Sequence, residues 1–187
     1  MMYDLPTSLE VCGTEYPIET DFRVILDIFS VLSAVELTSE EKCFGVLGMF
    51  YPGFFTMPWE HMEEAIKQCF WFINGGNEEA QKKSTKLMDW EQDFRLLVAP
   101  INRIAGQEVR ALPYLHWWTF VAAYMEIGDG TLAMVISIRE KLANGRKLEK
   151  YERQYYHDHP EEFEFSSDKA RKERERDEIM EIWNDGS

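Results

Sequence analysis

Two histidines one residue apart, His157 and His159 about Asp158, are the most metal-like spacing in this chain. A zinc centre takes at least three protein ligands even when one position is left open for water. No third ligand stands at workable spacing, so the pair reads as solvated side chains at a helix end. His116 is the other candidate for proton transfer. It lies among Tyr114, Trp117, Trp118 and Phe120 without a nucleophile beside it, and a lone histidine on an aromatic helix reads as a hydrogen-bonded core residue. Asp89, Glu91 and Asp93 resemble the opening of a calcium loop, but the loop glycine and the closing glutamate are missing. Gly128-Asp129-Gly130 is too short for a phosphate loop and lacks its lysine. Glu60, Glu63 and Glu64 fall on the polar side of their helix, where carboxylates are routine. Cys12, Cys43 and Cys69 are odd in number and far apart, which predicts reduced thiols in a cytosol. The expectation is a protein with no catalytic residue, no metal and no cofactor.

The elements that would position such groups are mostly helical. Leu9, Val11, Tyr16 and Ile18 alternate about Cys12-Gly13-Thr14, which predicts a short β-hairpin. Asp21 or Thr20 can cap a helix whose apolar face carries Phe22, Ile25, Phe29 and Leu32. Thr38 and Glu41 have capping-box spacing and open a second helix through Cys43, Val46, Leu47 and Phe50, ended by Tyr51-Pro52-Gly53. Pro58 stands near the start of a third, with Met62, Ile66, Cys69, Phe70 and Ile73 as one stripe and Asn74-Gly75-Gly76 as its stop. Residues 77–86 are polar without apolar period and read as a loop. Asp89 caps a helix carrying Trp90, Phe94, Leu97 and Ile101, with a kink or break expected near Ala99, before Pro100.

The run Leu112-Pro113-Tyr114-Leu115-His116-Trp117-Trp118-Thr119-Phe120 begins a helix expected from about Pro113 to Glu126. Tyr114, Trp118, Val121 and Met125 make one stripe; Trp117, Phe120 and Tyr124 make another. A helix apolar around most of its circumference is buried on both sides, so this one is expected to be central, with Trp118 in the core. The alternative is an exposed partner groove. Gly128-Asp129-Gly130-Thr131 turns into a helix from Leu132 to about Leu142, closed by Asn144-Gly145, and another follows over 147–156. Residues 161–167 are acidic and short of core residues, and from Asp168 the charges alternate in sign. The fold class is therefore mainly α: a compact multi-helix domain over 1–160 with a short N-terminal hairpin, then a charged, extended C-terminal helical tail over 161–187. Near the end of that tail Ile179, Ile182 and Trp183 fall on one side of a helix, and they are the candidate protein-binding residues.

Charge narrows the partners. A net −14 over 187 residues weighs against nucleic acid, whose phosphates need clustered Lys and Arg. No run reaches the ~18 apolar residues of a membrane span. The start, Met1 to Pro6, has neither the basic nor the apolar region of a secretory leader, so none is expected. Abundant aromatics, the acidic balance and the mixed-charge tail ending in apolar residues are together features of a protein that binds proteins, although the aromatics themselves are expected in the core.

Several words of the chain occur together in one family. They are Tyr3-Asp4-Leu5-Pro6-Thr7-Ser8-Leu9, Trp71-Phe72-Ile73-Asn74-Gly75-Gly76, Lys86-Leu87-Met88-Asp89-Trp90-Glu91-Gln92-Asp93-Phe94, Tyr114-Leu115-His116-Trp117-Trp118-Thr119-Phe120 and Val135-Ile136-Ser137-Ile138-Arg139. On these the sequence resembles the small tailed-bacteriophage proteins labelled "gene product fifteen" and grouped with tail-assembly chaperones. The resemblance implies a chaperone in the host cytoplasm, absent from the finished virion. It would bind the phage tape-measure protein and help recruit the major tail protein as tube subunits, with self-association allowed. A structural virion component, a minor tail or head–tail connector protein, is the alternative. No catalytic residue comes with the resemblance.

Overall fold

The hairpin forms because its two-residue turn can take the backbone such a turn needs. In the computed structural model, which describes residues 4–77, 86–166 and 168, β1 (Ser8–Val11) pairs antiparallel with β2 (Thr14–Pro17), with Leu9 opposite Tyr16. Cys12 and Gly13 both have positive φ, 49° and 75°, as a tight right-twisting hairpin demands. Leu9 and Val11 are buried, and the Cys12 amide and thiol both donate to the Glu64 carboxylate at 3.0 Å. A lone hairpin is marginal in water; this one is fixed by a helix beneath it.

Seven helices follow among the described residues: α1 (Phe22–Ser33), α2 (Ser39–Phe50), α3 (Met62–Ile73), α4 (Phe94–Ala105), α5 (Trp117–Met125), α6 (Thr131–Ala143) and α7 (Lys150–Asp158). The chain is mainly helical with one N-terminal hairpin, as its capped and periodic segments predict. Asp21 caps α1 by accepting from the Arg23 amide at 2.9 Å. Thr38 and Glu41 form both halves of the capping box on α2. Gly75 and Gly76, at φ 69° and 82°, turn the chain back over the end of α3, their amides reaching the Phe72 and Trp71 carbonyls.

At the centre of the molecule α1 meets α5, with α2 packed on α1 and α4 on α5. The Phe22 and Phe120 rings stack 4.5 Å apart at 9°, and Trp90, Trp117 and Phe120 continue the aromatic layer. Two main-chain hydrogen bonds tie the starts of α1 and α5: Phe22 N–H to Leu115 O and Trp117 N–H to Thr20 O. These bonds hold residues 112–115 extended beside α1, so α5 begins at Trp117 and not near Pro113. The stripes are therefore assigned the other way round. Trp117 and Phe120 are fully buried, Trp118 is half-buried, Tyr114 lies outside the helix, and Met125 is 70% exposed.

Two other departures have local causes. Phe72 takes the buried place expected of Phe70, because Ala65, Cys69 and Phe72 face the hairpin and α2 while Phe70 points outward. Asp89 caps only a single turn, accepting from the Glu91 and Gln92 amides, and α4 proper begins after Asp93. That helix continues through Pro100 without a break. Burial of Leu97 and Ile101 on either side holds it despite an interior-proline cost of about 3 kcal/mol.

The second half of the fold is organised by one buried arginine. Arg139 on α6 forms a bidentate pair with Asp93, Nη1 to Oδ2 at 2.6 Å and Nη2 to Oδ1 at 2.8 Å. Its remaining N–H groups reach Leu87 O at 3.0 Å and Glu162 O, with Nε at 2.9 Å, and the Phe165 ring lies 4.5 Å below the guanidinium. All five donors are used. Glu162 and Phe165 are buried by these contacts, although the acidic stretch around them reads as poor in core residues. Removing one side of such a pair strands the other, which typically costs about 3–5 kcal/mol. Arg139→Met is therefore expected to lower unfolding free energy in urea by that amount, and Arg139→Lys by an intermediate amount. Near-neutral behaviour of both variants would show that this hub is not structural.

Candidate functional site

The residues that carried chemical expectations are dispersed by the fold. His157 is almost fully exposed, its nearest partner Asp158 at 3.4 Å. His159 turns away from it and meets Glu161 and Glu162, their ligand atoms within 4.8 Å of one another. The Arg95 guanidinium already lies 3.9 Å from Glu161 and 3.2 Å from Glu162, and the Tyr155 hydroxyl donates to Glu162 at 2.8 Å. The group is an ion-pair network joining α7 to α4. Asp89, Glu91 and Asp93 do not converge: Asp89 pairs with Lys86, Glu91 accepts from the Ser30 hydroxyl, and Asp93 is held by Arg139. A cleft of about 290 Å³ lies between the end of α1 and this turn, lined by Phe29, Ser30, Met88 and Trp90 among others.

Two of the thiols, Cys12 and Cys69, are held protonated. The hydrogen bond to the Glu64 carboxylate raises Cys12 above the ordinary cysteine value, and burial does the same for Cys69. Neither has the depressed pKa of a reactive cysteine.

His116 is a helix cap. Its Nδ1 accepts the Trp118 amide at 3.0 Å, so its Nε2 carries the proton and donates to Pro6 O at 3.1 Å. Protonating Nδ1 would set two donors against each other, and burial adds to this by holding the imidazole below its ordinary value of 6.5. The neutral form is favoured by folding, so the unfolded chain binds more protons in that range. Its contribution to stability is complete above about pH 6.5 and is lost as pH falls toward the lowered folded value. His116→Asn, which can still cap, is expected to flatten this part of the stability profile between pH 7.5 and pH 5, measured by urea unfolding. Parallel profiles for the two proteins would remove His116 as the titrating group.

What the fold does assemble is an exposed aromatic surface between α2 and α3. Pro52-Gly53 ends α2, and residues Phe54–Thr56 and Trp59–His61 form two short 3-10 turns before α3. Successive side chains in a 3-10 turn diverge by about 120°. Phe54 is buried beneath α2, so Phe55 must point outward, and it is 93% exposed. Trp59 is 70% exposed and Phe44, on α2, 46%. The rings touch in sequence: Phe55 to Phe54 at 5.4 Å, Phe54 to Phe44 at 6.0 Å, and Phe44 to Trp59 at 6.0 Å. Together Phe44, Phe55 and Trp59 expose roughly 300–500 Å², the size of patch that on a monomer is often functional. Glu40, Glu41, Glu60 and Glu63 stand exposed around it.

Sequence reasoning missed this surface. The signal was present in two adjacent phenylalanines between Pro52 and Pro58, a segment too short and too bent to bury both. The residues favoured from sequence, Ile179, Ile182 and Trp183, lie outside the described residues.

The geometry is that of a helical body with an exposed aromatic surface, and comparison with known families is more specific. The family model for the bacteriophage Gp15 protein matches residues 1–100, and the chain belongs to that family. Membership places it among phage structural or assembly proteins. The match spans the hairpin, α1 to α3, the whole aromatic surface and the first part of α4. No curated protein and no solved structure matches the chain.

Proposed function

We propose that this chain is a phage tail-assembly chaperone that binds the tape-measure protein in the host cytoplasm and helps recruit tail-tube subunits. It acts by reversible binding, without catalysis, metal or cofactor, and does not remain in the mature virion. The observation that carries this reading is the near-complete exposure of Phe55 beside Trp59 and Phe44. Soluble monomers seldom leave three large aromatic side chains grouped about one buried ring in water unless a partner covers them. Family membership supports the same reading by restricting the setting to phage structure or assembly. The acidic surface supports it too, since net charge keeps a protein with exposed aromatics soluble while it waits for its client.

A long helical tape-measure chain exposes apolar faces before the tube forms around it. Several copies of a small protein with one aromatic surface each could cover those faces by mass action and be displaced by tube subunits. Co-expression with the tape-measure protein of the same phage tests this. The tape-measure protein is expected to stay soluble and to copurify with this chain, while mass spectrometry of purified particles finds no peptide of it. Stoichiometric peptides in the particles would identify a minor tail or head–tail connector component instead. A tape-measure protein that stays insoluble and uncaptured would also overturn the proposal.

A further inference from the structure

We infer that the surface formed by Phe44, Phe55 and Trp59 recognises a basic amphipathic helix of another polypeptide, seating its apolar side chains between the rings and its Lys and Arg on the surrounding carboxylates. The inference rests on the chaperone reading and specifies the client segment that such a protein would hold.

Three observations select this occupant. The first is spacing. The exposed Phe44 and Trp59 rings lie 6.0 Å apart, close to the roughly 5–6 Å between side chains one turn apart on a helix. Anchors at i and i+4 of a helix would meet these two rings, with Phe55 lying across the buried Phe54 ring from them.

The second is the backbone. The Thr56, Met57 and His61 amides are all spent within the two 3-10 turns, on Gly53 O, Phe54 O and Pro58 O. These bonds break up the backbone edge that an incoming strand would pair with, which favours recognition through side chains.

The third is charge. Glu40 and Glu41 lie one turn before Phe44 on α2, and Glu60 and Glu63 follow Trp59. Their hydrogen bonds to Thr38 and Lys67 hold Glu41 and Glu63 below the usual carboxylate range, so both are ionised at neutral pH. Lys67 pairs with Glu63 at 2.6 Å and offsets it, while Lys42 reaches away to Leu32 O at 3.0 Å, so Glu40, Glu41 and Glu60 set the sign of the edge. A second copy docking through the same surface would bring two acidic rims together in a chain already at −14, and an anionic lipid headgroup would meet the same repulsion.

The test uses the full-length protein and two synthetic helical peptides of about 18 residues with identical leucine anchors, one with lysine and one with glutamate at the polar positions. Calorimetry is expected to show the lysine peptide binding and the glutamate peptide not. Phe55→Ser and Trp59→Ser, both at exposed positions, should each weaken the lysine peptide by about tenfold or more while leaving circular dichroism unchanged. Glu60→Lys/Glu63→Lys keeps the rings, and should weaken the lysine peptide and admit the glutamate one.

Equal binding of the lysine peptide to wild type and Phe55→Ser would overturn the inference. So would a dimer in sedimentation that Phe55→Ser dissolves, since the occupant would then be a second copy. Binding seen only in full-length Ile179→Ser/Ile182→Ser/Trp183→Ser would also overturn it, by assigning the surface to the chain's own C-terminal segment. The two readings fail separately. A protein that binds the lysine peptide but never the tape-measure protein contradicts the chaperone reading, and capture of the tape-measure protein undiminished in Phe55→Ser contradicts this one.

Discussion

Two adjacent indole N–H groups close the end of one helix with the start of another. Trp117 Nε1 donates to Ile73 O at 2.9 Å and Trp118 Nε1 to Phe72 O at 2.8 Å, and both acceptors are carbonyls of the last turn of α3, where the i+4 ladder has ended. Neighbouring side chains on a helix diverge by about 100°, so both indoles reach one helix end only if that end lies across the first turn of α5. This fixes the angle at which α3 meets α5. The Trp118 ring then stacks on Phe72 and lies over Gly76, where an added Cβ would come within 3.2 Å of it. Trp117 carries the contact onward to Phe29 and Trp90. The aromatic run of the sequence therefore serves as structure, with its polar atoms as important as its area.

That platform is what makes the opposite face available. With α3 held at its C-terminal end by α5, and at its N-terminal part by the hairpin through Glu64, the short turns leading into it have little freedom to fold inward. Met57 and Phe54 are spent as anchors, and Phe55 and Trp59 are left outside. A chain with many aromatics thus divides them between two tasks. Phe22, Phe50, Phe72, Trp117 and Phe120 are buried in the core. Phe55 and Trp59, on the bent connection between α2 and α3, form with Phe44 a surface that is hydrophobic at the centre and anionic at the edge.

Local chemistry was readable from the residues; long-range choice was not. The caps at Asp21 and Thr38, the Cys12-Gly13 turn and the glycine stop after α3 each depend on neighbours within a few positions, and each stands where its sequence places it. The pairing of Arg139 with Asp93 spans 46 residues, and nothing in either local pattern distinguishes a buried ion pair from two exposed charges. The same holds for the order of burial along α5. Periodicity offers two apolar stripes, and only the hydrogen bonds that the Thr20 and Leu115 carbonyls accept from the Trp117 and Phe22 amides decide where the helix begins and which stripe turns inward. The exposed ring of Phe55 was hidden for the opposite reason: hydrophobicity alone argues for burial, and only the geometry of a 3-10 turn overrules it.

The most direct measurement is hydrogen–deuterium exchange of this protein alone and in complex with the tape-measure protein. If α2 and the turns before α3 hold the client, exchange slows on binding across residues 40–63. Residues 94–125, which form the platform, then exchange at the same rate in both states. Protection that falls on residues 94–158 and leaves 40–63 unchanged would contradict the account and place the docking face on the other side of the molecule.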